Sequence, residues 1–177
     1  MNMLGKTYKH FITITTHKLL VTKLCFRLGL YKQGLLHDIS KYSYIEFFNG
    51  VKYFQGNRSP IDAEKKDKGY SLGWLHHKGI NKHHLEYWFD RNRDGLCFIK
   101  IPYNYMLEMV CDRIAACKVY QKDKYHDSSA LEYLNRSNDL KYMHPDSGKL
   151  LVTILTMLKE KGESYTFSYL KHHKINY

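Results

Sequence analysis

Several features that define common protein classes are missing from this sequence. The four cysteines, Cys25, Cys97, Cys111 and Cys117, show no CxxC spacing. Three of them lie in apolar stretches with helical periodicity, so we expect small reduced core residues, as in a cytoplasmic protein. Internal repeats and low-complexity linkers are also missing. With 177 residues, the chain predicts a single domain over residues 1–177.

Long apolar runs are missing as well. No uncharged stretch reaches the roughly 18 apolar residues that a membrane span needs. The apolar run from Ile12 to Leu20 is interrupted by threonine and histidine and has no small-residue cleavage site, so it does not resemble a secretory signal. We therefore expect a cytoplasmic protein that has no membrane partner.

Acidic residues are scarce relative to basic ones. The chain has 17 Asp and Glu against 28 Lys and Arg, which gives a formal net charge of +11. Such a surface attracts anions, and charge alone does not choose among nucleic acid, a phosphorylated metabolite and acidic lipid. The basic residues are spread along the whole chain, which favours solubility or a small anionic substrate over a groove for a polymer.

Helical periodicity dominates what the sequence contains. No alternating strand series is visible, so the predicted fold is all-α, with C-terminal helices over about residues 128–177. Gly162 is expected to end the last long helix, Asp146 to cap it, and residues 165–177 to form a short basic segment. The predicted helices cover about residues 6–28, 31–41, 45–48, 62–78, 102–122, 128–134 and 146–161.

An adjacent His37-Asp38 pair lies within an otherwise apolar helical run. A buried carboxylate beside an imidazole needs a strong partner, and a divalent cation shared between them is the most economical one. His17 lies on the apolar stripe of the first helix, and Asp112 shares a buried face with small residues of the long helix. We interpret all four as candidate metal ligands. Lys41, one helical turn after His37, is predicted to lie beside the pair.

Two further histidine pairs, His76-His77 and His83-His84, are separated by seven residues. Seven residues of a continuous helix span about 10 Å, whereas ligands of one ion lie within about 4 Å of each other. A glycine and an asparagine between the pairs supply a helix stop and a new N-cap, so we predict a break over residues 78–81 that folds the pairs together. The spacing leaves open which histidine of each pair faces inward.

From His17 to about Tyr120 these residues occur in the order His, His-Asp, His-His, His-His, Asp. This order, with a His-Asp-x-x-Lys motif at residues 37–41, resembles the HD-domain superfamily of metal-dependent phosphohydrolases, which are all-helical. The resemblance implies a single-domain HD-like helical bundle whose metal-site core covers about residues 6–122. Four runs are similar to a small uncharacterised family of that superfamily: residues 37–42, 53–61, 74–78 and 81–88.

The resemblance implies that one or two divalent ions bind, with Mn, Fe, Co, Ni, Zn and Mg all left open. The implied ligands of the first ion are His17, His37, Asp38 and Asp112. Asp38 would bridge to a second ion, whose other implied ligands are His77 and either His83 or His84. We prefer His83 as the ligand and leave His84 as a ligand or a phosphate contact.

The activity that the resemblance implies is hydrolysis of a phosphate ester by a metal-activated water. The ester would be a nucleotide, another phosphomonoester or a phosphodiester. Glu86 or Glu108 would orient a ligand histidine. Asp38 and Lys41 are the expected catalytic residues, and the expected substrate contacts are Lys41, Arg58, His84 and Arg113.

The rival hypothesis is a non-catalytic nucleic-acid-binding protein on an HD-like scaffold. Its positive charge would hold phosphates and its many tyrosines would stack on bases. A protein that only binds nucleic acid would need neither an inward-facing His17 nor a buried Asp112. A scaffold that no longer binds metal would be expected to have lost one of the implied ligands, and none is missing here. We therefore favour the enzyme, with a phosphorylated small molecule or nucleotide as partner and nucleic acid as the alternative partner.

Overall fold

Apolar residues at helical spacing make most of the chain α-helical. The computed structural model describes residues 2–177, and within them the predicted all-α, single-domain fold is confirmed. Its eight α-helices are α1 (Met3–Arg27), α2 (Tyr31–Leu36), α3 (Tyr44–Lys52), α4 (Pro60–Lys68), α5 (Leu72–Ile80), α6 (Tyr103–Gln121), α7 (Ser129–Ser137) and α8 (Pro145–His172). Short 3-10 turns cover Ile39–Tyr42, Leu85–Trp88, Lys122–Lys124 and Asp139–Tyr142.

The core is built mainly from the apolar stripes of three long helices, α1, α6 and α8. Buried side chains from all three form one cluster, which includes Val21 and Leu155. Each fully buried leucine contributes about 1.5–3 kcal/mol relative to exposure, so these stripes hold the helices together. Cys25, Cys111 and Cys117 are buried in this cluster, which confirms the prediction that they are core residues.

Two sets of helix contacts position the candidate site. α1 packs against both α6 and α2, and α3 packs against α5, α4 and α1. The inner faces of α1, α6 and α5 therefore converge on the segment between α2 and α3, which contains His37 and Asp38.

The structure corrects the prediction that one helix carries His37, Asp38 and Lys41. α2 ends at Leu36, and Asp38 has φ 53°, in the left-handed region that aspartate tolerates better than most residues. The ammonium of Lys18 donates to the carbonyl oxygens of Leu35 at 2.7 Å and His37 at 2.8 Å, so it satisfies this early helix end. Because the chain turns here, the two adjacent side chains both point into the interior.

The polar run after residue 60 forms a separate helix, which corrects the single helix predicted over residues 62–78. Gly69 follows α4 with φ 80°, and Ser71 caps α5 by accepting from the Trp74 N–H at 3.0 Å. The predicted break between the histidine pairs is confirmed, because α5 ends at Ile80 and Asn81 is extended.

The segment between the histidine pairs and α6, predicted as a charged turn followed by a run of uncertain type, forms a hairpin. Its strands, β1 (Phe89–Asn92) and β2 (Gly95–Phe98), pair antiparallel in the register Phe89 to Phe98. Pro102 caps α6, close to its predicted place in the first turn.

The last helix differs from its prediction at both ends. His144, rather than Asp146, caps α8, since its Nδ1 accepts from the Asp146 N–H at 3.2 Å. Gly162 has φ 79° and interrupts the helical conformation, but helix resumes to His172 where a short basic segment was predicted. Among the described residues, none of the helices combines the length and apolar content needed to cross a membrane.

Candidate metal centre

Four buried or half-buried side chains from three segments form the first ligand group. His17 comes from α1, His37 and Asp38 from the segment after α2, and Asp112 from α6. The Nε2 atom of His17 lies 2.9 Å from Asp112 Oδ1 and 3.6 Å from Asp38 Oδ2. The Nε2 atom of His37 lies 3.3 Å from Asp38 Oδ2 and 3.5 Å from Asp112 Oδ1. The structure thus brings together the four side chains predicted for a first ion.

A second group of four shares Asp38 with the first. Asp38 Oδ1 lies 3.3 Å from His77 Nε2 and 3.4 Å from His83 Nε2, and His77 Nε2 lies 2.9 Å from His84 Nε2. The break after α5 therefore brings three of the four paired histidines to one point. The fourth, His76, keeps 28% of its side chain exposed and lies outside the group.

Both groups have the dimensions of a metal site. Donors held about 2.1 Å from one ion stand about 3.0 Å apart at right angles and about 3.4 Å apart in a tetrahedron. The separations above fall between 2.9 and 3.6 Å. The Nε2 atoms of His37 and His83 and the Oδ1 atom of Asp38 are buried and make no hydrogen bond with any described residue, whereas Asp38 Oδ2 pairs with Lys41 and His17 Nε2 lies against Asp112. Such atoms are costly to bury without a partner, and these groups could hold a metal ion.

A single carboxylate oxygen supports one histidine of each group. Glu108 Oε1 lies 2.9 Å from His37 Nδ1 and 3.1 Å from His83 Nδ1. An Nδ1–H that donates to a carboxylate leaves the Nε2 lone pair free to bind a metal. The sequence left open whether Glu86 or Glu108 would orient a ligand histidine. In the structure Glu108 does so, whereas Glu86 lines a neighbouring cleft.

Glu46 plays the same part for the second group and was missed in the sequence. Its Oε2 lies 2.7 Å from His77 Nδ1, and its Oε1 lies 2.6 Å from His76 Nδ1. Glu46 stands three residues after the Ser43 cap, a spacing typical of a capping box, so its pattern indicated only a helix start. The remaining signal in the sequence was that Glu46 is one of only two acids up to residue 53. The structure buries it, with 8% of the residue exposed.

Charges around Asp38 keep it ionised. Burial opposes its charge, but His37 and Lys41 outweigh burial and hold the pKa of Asp38 well below its usual range. The Lys41 ammonium lies 2.5 Å from Asp38 Oδ2, and this ion pair raises the pKa of Lys41 against the opposing effect of burial. Burial also lowers the pKa of His83 and, together with the neighbouring histidines, that of His84. The neighbouring carboxylates, in contrast, raise the pKa values of His37 and His77 against the effect of burial. Neutral imidazole and ionised carboxylate are the forms that bind metals, so a metal ion would displace a proton from these two histidines.

A cleft of about 430 Å³ opens beside both groups and is lined by His83, His84 and Asp112. Arg58 and Arg113, two predicted substrate contacts, line it as well. Arg58 is exposed and donates to Gln55, while Arg113 pairs with Asp139 at 2.7 Å. Three aromatic side chains complete the walls: Trp74, Tyr120 and Tyr133.

Lys41 lies apart from the other predicted substrate contacts. It lines a smaller cavity of about 80 Å³, whose walls also include His10 and His77. Tyr120 lines both this cavity and the larger cleft, so the two spaces are neighbours.

A family model matches residues 6–157 and is described as a family of unknown function, DUF5662. The chain belongs to this family. The matched region includes every member of both ligand groups, from His17 to Asp112. No curated protein and no solved structure matches the chain.

One buried histidine of this DUF5662 member lies outside both ligand groups. His10 is 5% exposed and packs between the rings of Phe47 and Phe54. Gly50 closes this pocket, and a Cβ there would collide with the His10 ring. Burial lowers the pKa of His10 from 6.5 to about 4, with the charge of Lys41 adding to the effect. His10 therefore stays neutral in the folded protein at neutral pH.

We expect His10 to make the protein less stable in mild acid. His10 takes up a proton near pH 6.5 in the unfolded chain but only near pH 4 in the folded protein. The stability that buried neutral His10 contributes is therefore complete above pH 6.5 and is lost as the pH falls toward 4. Through His10, the free energy of unfolding should fall by at most about 1.4 kcal/mol for each pH unit in this range. Urea unfolding of the metal-free protein at several pH values should show a shallower acid dependence for His10→Leu than for the wild type. Parallel curves would contradict this prediction.

Proposed function

We propose that this protein is a metal-dependent phosphohydrolase that hydrolyses a phosphate ester through a metal-activated water. The observation that supports this most directly is the sharing of Asp38 by two ligand groups, with one oxygen turned toward each. A carboxylate that bridges two ions fixes them a few ångströms apart, which is the arrangement used to activate water and to clamp a phosphoryl group.

His17, His37 and Asp112 would complete the first site, and His77, His83 and His84 the second. When bound, a pair of divalent ions supplies Lewis-acid chemistry at neutral pH. The three imidazoles of the second site favour a transition metal such as Mn, Fe, Co, Ni or Zn over Mg, because Mg prefers oxygen ligands.

The neighbouring cleft supports a small phosphorylated substrate. Its volume of about 430 Å³ is typical of pockets for small ligands. Arg58 and Lys65 line its walls and would contact phosphoryl oxygens, whereas Arg113 pairs with Asp139 and the walls also include Asp62 and Glu86. The rival nucleic-acid-binding function would give no role to the buried Nε2 atoms of His37 and His83 and the Oδ1 atom of Asp38, which make no hydrogen bond with any described residue. The cytoplasmic location stays part of this proposal, supported by four cysteines that form no disulfide within residues 2–177.

The test combines metal content with a substrate screen. Protein purified without a histidine tag should contain one or two transition-metal equivalents by elemental analysis. It should release inorganic phosphate from members of a panel of nucleotides, phosphomonoesters and phosphodiesters. Removal of the metal by a chelator should abolish the release, and adding the metal back should restore it. Protein that contains no metal and takes none up on reconstitution would overturn the proposal.

Lys41 provides a finer test of the same proposal. Lys41→Met keeps the aliphatic stem and removes the charge, so both ions should remain because no ligand is lost. KM should rise at least about tenfold, since one charge-assisted contact to a phosphate is worth about 1.5–3 kcal/mol. Steady-state kinetics and elemental analysis would measure both effects. An unchanged KM would remove Lys41 from the substrate site.

A further inference from the structure

The first three helices and the turn after α2 expose many large apolar side chains. We call the N-terminal face the twelve large apolar side chains named below, which lie on these helices and on the turn after α2 and are each between 37% and 80% exposed. Single exposed apolar residues are normal, but a contiguous group of this size marks a binding surface. Its members are Leu4, Tyr8, Phe11, Ile12, Leu19, Leu35, Leu36, Ile39, Tyr42, Tyr44, Ile45 and Phe48.

Contacts between the elements connect the members of this face, and α3, which carries Tyr44, Ile45 and Phe48, packs against α1. On α1 the members recur at intervals of three, four and seven residues, which places them on one side of the helix. The Phe11 ring lies 6.1 Å from the Tyr42 ring, and the Thr15 hydroxyl lies 3.0 Å from the Tyr42 hydroxyl, so the turn after α2 lies against α1. Lys18 fixes the end of α2 to the same helix through the Leu35 carbonyl.

The same part of the chain exposes positive charge and no negative charge. Between residues 2 and 53 the only acids are Asp38 and Glu46, and both are buried. The basic residues there are Lys6, Lys9, Lys18, Lys23, Arg27, Lys32, Lys41 and Lys52. Lys9 lies three residues before Ile12, and Lys23 lies four residues after Leu19, so both exposed lysines border the apolar stripe of α1.

An occupant of this face must be apolar and negatively charged. A second copy of the chain would set exposed lysines against exposed lysines with no acid on the face to pair with them. Nucleic acid would satisfy the lysines but would leave leucine and isoleucine side chains against a polar backbone. The interface of an anionic bilayer offers phosphate groups at its surface and hydrocarbon just below, which is what apolar faces bordered by lysine bind.

We propose that the N-terminal face binds the surface of an anionic phospholipid bilayer. The protein lies on the membrane in this arrangement, since none of the helices within residues 2–177 can span it. This departs from the sequence-based expectation of no membrane partner, which depended on the missing apolar run. His37 and Asp38 lie between Leu36 and Ile39, so the ligand groups are on the inner side of the segment that faces the lipid. The proposal does not depend on metal binding.

Vesicle sedimentation tests the apolar part of the proposal. The full chain should sediment with vesicles of phosphatidylcholine and phosphatidylglycerol and stay in the supernatant with phosphatidylcholine alone. The double variant Tyr8→Ser/Leu19→Ser should bind the anionic vesicles at least about tenfold more weakly. Leu96→Ser/Tyr165→Ser, which removes two comparably exposed apolar side chains outside the face, should bind as the wild type does.

A charge-reversal pair tests the electrostatic part. Lys9→Glu/Lys23→Glu should lower the affinity at least about tenfold, whereas Lys66→Glu/Lys171→Glu, at exposed positions outside the face, should change it much less. Circular dichroism would confirm that each variant is folded. Failure of the wild type to bind anionic vesicles would overturn the proposal, as would equal binding to neutral ones. A dimer in light scattering that Tyr8→Ser/Leu19→Ser dissociates, without vesicle binding, would assign the face to a second copy instead.

Discussion

Replacing Asp38 with asparagine should remove both metal ions at once. The carboxylate turns one oxygen toward each ligand group, whereas an amide offers a single oxygen and no charge. The affinity for both ions should fall by more than the roughly 10–100-fold that loss of a supporting residue costs. Phosphate-ester hydrolysis should disappear with the metal.

Asparagine is the right substitution at this position for a conformational reason. Asp38 has φ 53°, and asparagine adopts the left-handed region readily, whereas alanine would add about 1–2 kcal/mol of backbone strain. Asp38→Asn therefore tests the ligand while leaving the turn after α2 intact, and its helical content should match that of the wild type.

Asp112→Asn is the matched control, because Asp112 belongs to the first group only. Asp112→Asn should lower the affinity for one ion and leave the affinity for the other unchanged. Elemental analysis after dialysis, together with competition against a chelator of known affinity, would count the ions in each variant. Loss of activity in Asp38→Asn with the metal content unchanged would contradict the ligand assignment.

Replacing Glu108 with glutamine should lower the affinity for each of the two ions by about 10–100-fold. Burial opposes the charge of Glu108, but hydrogen bonds from His37 and His83 hold its pKa below the usual value, so it is ionised at neutral pH. The charge on Glu108 Oε1 raises the basicity of one imidazole in each group, and an amide cannot do this.

Glu46→Gln is the counterpart of this variant. Glu46 contacts His77, which belongs to the second group only, so this change should weaken one ion and spare the first. Chelator competition with each variant would resolve one affected site from two. If Glu108→Gln and Glu46→Gln both lowered the affinity for the same ion and no other, Glu108 would not support both groups.

Local sequence patterns determined most of the helices of this protein. Apolar residues at helical spacing predicted α1, α6 and the first part of α8, because each stripe must be buried against the others. The same reasoning placed His17 and Asp112 on inward positions, where the structure has them. The glycine and asparagine after His77 predicted the end of α5, since the geometry of a straight helix keeps the two histidine pairs apart.

Predictions failed where a long-range contact set the backbone. The helix expected to carry His37 and Asp38 ends early because Lys18, on another helix, binds its last carbonyl groups. Nothing in the spacing around residue 38 carries that information. The role of Glu46 was hidden for a similar reason, since its partners lie 30 and 31 residues away in sequence.

By itself the sequence determined which residue types could meet and on which faces of their helices they stand. Only the tertiary structure decided that His77 and His83 meet at one oxygen of Asp38 with His84 beside them, and that the N-terminal face stays uncovered. Periodicity fixes the angle of a side chain about its own helix axis. Which histidine of an adjacent pair reaches the centre, and whether an apolar stripe finds a partner, depends on how separate helices pack.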